Sequence, residues 1–133
     1  MTPEQKELLL KDLCARLKYD VKLSYRCNHI HILKGIHKSG LIVINDIVTN
    51  ISTTTDVENI TSYLFPMSSM TEEQKEEALP LLNNCDYYTI DGVIKWLDNH
   101  PIKFFDWCDK NHFDYRGLIP IGLAIDATNL NIY

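Results

Sequence analysis

The most suggestive run of chemistry-bearing side chains lies between residues 106 and 116, where Asp106, Asp109, His112, Asp114, Tyr115 and Arg116 follow one another closely. Carboxylates beside a histidine are the groups that general acid–base or metal-assisted chemistry uses. On a helix, Asp109 and His112 are three apart and share a face. The same residue types also have ordinary structural employment. Asp106 and Asp109 can sit on a solvated face, Asp114 can cap the next turn, and Arg116 can pair with a carboxylate, leaving Trp107 and Phe113 to the core. Structural employment is the expectation, with Asp109, His112, Asp114, Tyr115 and Arg116 as candidate binding residues and none assigned as catalytic.

A second group is Cys27, His29 and His31, which alternate and would point one way along an unbroken strand, with His37 nearby. Such a face can ligate zinc through nitrogen and sulfur. However, apolar residues occupy odd positions up to Cys27 (Val21, Leu23, Tyr25) and even ones from Ile30 (Ile30, Ile32, Ile36). Because the side-chain period of a strand is two, that flip implies a turn or bulge at Asn28. Ile30 and Ile32 are then the expected buried face, which leaves His29 and His31 in solvent and makes metal binding a weak candidacy. No cofactor is expected. No G-x-S-x-G elbow, phosphate-binding glycine loop or C-x-x-C pair occurs. Tyr87, Tyr88, Phe104, Phe105 and Trp107 could stack on bases, but a core of this size needs aromatics as well.

The elements that would position these residues are legible in part. Thr2, Pro3 and Gln5 make a capping box with proline at the first helical position, so a helix is expected over 3–18. Its apolar stripe is Leu10, Leu13, Cys14 and Leu17, with Lys6, Glu7, Lys11 and Asp12 facing out and the Cys14 thiol buried. Short strands follow: 21–27, 30–36, Leu41 to Ile44 beyond a turn at His37–Gly40, and one or two more within 47–64. Thr71 caps a helix beginning at Glu72, and residues 90–99 and 102–112 are read as helical. Leu123 to Ile125 could return as a last strand. The fold class is therefore α+β: an N-terminal helix, a small antiparallel sheet or SH3/Sm-like barrel of four to five strands, and a helical C-terminal half. The 133 residues, 45% hydrophobic and 23% charged, are read as a single composite domain, 1–65 helix plus strands and 66–133 mainly helical.

The net charge of −5 is unevenly placed. Residues 1–66 carry eight basic and seven acidic groups, whereas residues 67–133 carry five and eleven. An acidic half disfavours nucleic-acid binding, which draws much of its affinity from phosphate neutralisation. The first half still offers Lys18, Lys22, Arg26, Lys34 and Lys38 as a basic cluster for RNA or a nucleotide. No segment approaches the ~20 apolar residues of a membrane span. Together with the dispersed cysteines, this gives an expectation of a cytoplasmic protein with no membrane partner.

Three stretches together carry a resemblance: Met1–Leu17 (MTPEQKELLLKDLCARL), Pro66–Glu73 (PMSSMTEE) and Asn111–Ala124 (NHFDYRGLIPIGLA). The chain resembles a family of small uncharacterised proteins of gut anaerobic bacteria and their phages. It departs from the family's usual proline at Lys18 and usual arginine at Phe65, the latter removing a cation next to Pro66. The resemblance implies no activity, cofactor or catalytic residue. It implies a fixed frame around a variable β region, as in a scaffold whose recognition surface differs between relatives, and a phage setting such as host regulation or counter-defence. The functional expectation is a non-enzymatic binding module with a protein partner. An Sm-like RNA- or nucleotide-binding protein comes second, and a small hydrolase using residues 106–116 third.

Overall fold

The computed structural model describes residues 1–26, 29–82, 87–90, 93–96 and 102–133. Helix α1 spans Pro3–Arg16, and its capping box is formed: the Gln5 amide donates to Thr2 Oγ1 at 3.1 Å and the Thr2 amide to Gln5 Oε1 at 3.0 Å. A 3-10 turn, Leu17–Tyr19, continues it until Asp20 adopts a left-handed conformation at φ 52°. Strands β1 (Lys22–Ser24), β2 (Ile30–Ile36), β3 (Ile42–Asp46), β4 (Ser52–Thr55) and β5 (Thr61–Pro66) follow. Next come α2 (Glu72–Ala78), β6 (Tyr87–Ile90), β7 (Val93–Trp96), α3 (Ile102–Lys110), β8 (Phe113–Asp114) and β9 (Ala124–Asp126). The Thr71 capping box with Gln74 is present as well.

The class is α+β as expected, but in place of an antiparallel sheet or barrel of four to five strands the described residues build a mixed sheet of seven. Its order is β4-β3-β2-β1-β5-β8, with β9 also on β5. The first four pairings are antiparallel, while β8 and β9 lie parallel to β5, so the sheet is mixed. Leu9 and Leu13 of α1 pack with Leu23, Leu33, Ile42, Ile44 and Leu64 into one core. A second cluster gathers Met70, Ala78, Leu82, Phe104, Trp107, Cys108 and Phe113 where α2 and α3 meet.

Several sequence expectations are corrected. The buried stripe of α1 is Leu9, Asp12, Leu13 and Arg16, one residue round from the one expected, and Cys14 is exposed. Ion pairing permits this: Asp12 and Arg16 are both fully buried and pair with each other, so their charges are compensated on the inward face. On β2, His31 and Leu33 are buried while Ile30 and Ile32 are only half-buried. His31 sits opposite Leu23 in the register, and cross-strand partners share a face, so the odd parity of β1 carries over. The parity changes instead at a bulge between Leu33 and Gly35, which returns Ile36 to the core opposite Ile42. The turn expected at Asn28 lies outside the described residues, as does Cys27.

Part of the segment 90–99 read as helical is strand. β6 and β7 pair antiparallel, with Ile90 opposite Val93 and Tyr87 opposite Trp96. Residues 91, 92 and 97–99 of that reading lie outside the described ones. The β-branched and aromatic content of the two strands favours extended backbone. The Asp91-Gly92 dipeptide between them in the sequence is a strong short-range hairpin signal.

Candidate functional site

The 106–116 segment is divided by the end of α3. Asp106 stays on the exposed side, accepting a hydrogen bond from the Tyr19 hydroxyl at 2.5 Å with Lys18 Nζ at 3.4 Å. Its carboxyl is held below the usual range by the Tyr19 bond first and by Lys18. Asp109, one turn on, faces the interior and is buried, contrary to the solvated position expected. It approaches Arg16 Nη2 at 3.8 Å and Arg116 Nη1 at 3.9 Å. Burial raises its carboxyl, against the opposing pull of Arg16. The neighbouring Cys108 thiol is pushed up to about 12, mainly by burial, which makes it a poor nucleophile.

These contacts belong to a larger buried charge cluster. Arg16 Nε donates to both oxygens of Asp12 at 3.0 and 2.9 Å, and its Nη2 donates to the Phe113 carbonyl at 2.6 Å. Arg116 Nη1 reaches the same Asp12 carboxylate at 2.8 Å. Tyr115 stacks on Phe105 with centroids 4.6 Å apart and receives the Arg116 guanidinium 4.5 Å from its ring centre. Asp114 accepts from the amides of Leu118 and Ile119, both at 2.8 Å, and so caps the turn as expected. Asp12, Arg16, Asp109 and Arg116 thus tie α1 to α3 and to the stretch after β8. Asp12 and Arg16 were missing from the sequence candidates. Their i, i+4 spacing within a helix is the signal that could have found them.

His112 does not join Asp109 in a dyad. It lies beyond the end of α3 with φ at 64°, and its ring stacks on Tyr133 at 3.7 Å. Burial, then Arg16 and Lys22, lower it to about 4. The imidazole is therefore neutral near pH 7, and its carbonyl receives the Phe65 amide at 2.8 Å. Asp114 is engaged with backbone and Arg116 with Asp12, whereas Asp109 Oδ1 and His112 Nδ1 are buried without a hydrogen-bond partner.

The second group forms a corner between β2 and the β3–β4 hairpin. The half-exposed His29 pairs through Nδ1 with Asp46 Oδ2 at 2.7 Å, while the buried His31 lies 3.9 Å from the same oxygen through Nε2. Asp46 Oδ1 accepts from the Val48 and Thr49 amides at 2.8 and 3.3 Å. The His29 bond, assisted by these amides, holds the Asp46 carboxyl down at about 2. No group of three or more His, Cys, Asp or Glu side chains among the described residues is placed to hold a metal ion. The corner fixes the hairpin instead.

Much of the basic cluster is engaged within the fold. Lys18 pairs with Asp106 and Lys34 with Asp20 at 3.7 Å. Lys22 donates to the Ile132 carbonyl at 2.5 Å and lies over the Tyr133 ring, and Arg26 lies over Tyr25. Lys38 stands exposed in the β2–β3 turn.

A different surface is less committed. β4 ends the strand order, and the bond from the Asp46 amide to the Ile51 carbonyl sets the phase of its ladder with β3. Alternation then directs the backbone groups of Ser52 and Thr54 away from β3, to a side with no paired strand among the described residues. The strand reads Ser52-Thr53-Thr54-Thr55, without a charge or proline, and the hairpin before it exposes Ile47 at 44%, Val48 at 70% and Ile51 at 62%. Among the described residues, no helix is long and apolar enough to cross a membrane. No family model, curated protein or solved structure matches the chain.

Proposed function

We propose that this protein is a non-enzymatic binding module that recognises a protein partner by strand addition along β4, with the apolar tip of the β3–β4 hairpin as its anchor. The observation that carries this reading is the uncharged edge, unpaired among the described residues, beside exposed Ile47, Val48 and Ile51. Natural sheets usually blunt such an edge with lysine, proline or a covering element, because its open backbone groups recruit another strand. The hydrolase alternative is disfavoured by geometry, since Asp109 is buried against guanidiniums and His112 against Tyr133. The RNA alternative is disfavoured by the carboxylates of Asp106 and Asp20 beside Lys18 and Lys34, which reduce the positive potential that phosphate binding draws on. Host regulation or counter-defence in a phage setting is a role such a module could serve.

The test compares tagged wild-type protein with the double variant V48D/I51D, with captured proteins, an untagged copy of this chain included, identified by mass spectrometry. The reading expects a specific strand-adding partner on the wild type, whether another protein or that second copy, and its loss on the variant. Capture that survives V48D/I51D but fails in D109N would move the surface to the charge cluster and contradict it.

A further inference from the structure

We infer that the strand added to β4 is β4 of a second copy of this chain, paired antiparallel about a two-fold axis through Thr53. The inference rests on the reading of β4 as the recognition edge and names its occupant. The outward backbone groups of Ser52 and Thr54 are two residues apart, so they match those of the partner subunit's Thr54 and the partner subunit's Ser52. That register completes roughly four interchain hydrogen bonds. It sets Thr53 against the partner subunit's Thr53, a favourable β-branched pair.

The charge pattern does not oppose this pairing. β4 is uncharged, so two copies meet with no like charges opposed along the strand. At its ends the register places Asp56 across from the partner subunit's Asn50, not across from another carboxylate. Ile51, 62% exposed in the single chain, lands beside the partner subunit's Thr55, on the sheet face that carries Ile42 and Ile44. One interface therefore covers open backbone groups and an exposed apolar side chain together. Closed two-fold pairing of this kind also uses up the edge and stops further strand addition.

Sedimentation velocity over a concentration series tests this directly. Wild-type protein is expected to pass from monomer to dimer below about 1 mM. T53K and T53E place like charges on the axis, so each alone should dissociate at least about tenfold more readily, while an equimolar mixture should regain the dimer. T54P removes an outward N–H that pairs with no strand among the described residues, and should give a folded monomer. A wild-type chain that stays monomeric throughout overturns the inference. If that monomer still captures another protein in a manner sensitive to V48D/I51D, the edge reading stands without it. A dimer indifferent to T53K, T53E and T54P overturns both the register and the edge.

Discussion

Asp12 and Arg16 show how context sets the worth of a charge. Both side chains have no solvent exposure, and Asp12 receives Arg16 and Arg116 at once. Removing one partner leaves a buried charge uncompensated, so D12A or R16A should cost about 3–5 kcal/mol in urea unfolding. The exposed Lys6–Glu58 pair, 3.2 Å apart, should cost less than about 1 kcal/mol on K6A. His112 makes a pH prediction with a definite sign. Its folded value of about 4 lies below the ordinary 6.5, so the unfolded chain binds its proton more readily. The stability it supports is complete above about pH 6.5 and is lost as pH falls toward 4, by about 2–3 kcal/mol. H112F should flatten that part of the pH profile, as thermal melts between pH 4 and 7 would read out. The types in the 106–116 segment were legible in sequence, and the capping role of Asp114 with them. The inward face of Asp109 was not, because its guanidinium partners come from α1 and from beyond β8, far away in the chain.

At the scale of elements, local signals were read well and long-range ones poorly. Both capping boxes formed where Ser/Thr-type and Gln-type residues stood three apart, and T2A or T71A should each lower stability by about 1 kcal/mol. The stripe of α1 was misplaced by one residue because the reading assigned every charged side chain to solvent. Taking Ile30 and Ile32 as the buried face put His31 outside, whereas its register opposite Leu23 takes it into the interior. Strand parity was read correctly as broken, but the break belongs to the Leu33–Gly35 bulge, which pairing with β3 reveals. The β6–β7 pairing was missed because an apolar run of mixed type satisfies helix and strand periods alike over so short a span.

Across the whole molecule, the two ends of the sheet differ in character. At the β5 end, β8 and β9 pair in parallel, the charge cluster binds α1 to α3, and Tyr133 bridges the Lys22 amide and the Tyr63 carbonyl. At the β4 end, the ladder stops on an uncharged strand with apolar side chains beside it. The acidic excess of residues 67–133 does not fall on β4 itself, so the net charge of the chain does not forbid that edge from meeting a second copy. The α+β class and the N-terminal helix were legible from composition and capping. The sheet order was not, since β5 pairs with β1, β8 and β9 through contacts that no local pattern encodes. Amide hydrogen exchange at Ser52 and Thr54 tests the central claim most directly. Those two amides should exchange freely in dilute protein and become protected as concentration rises, with Thr53 protected throughout. Unchanged exchange at Ser52 and Thr54, with new protection confined to residues 106–116, would contradict it.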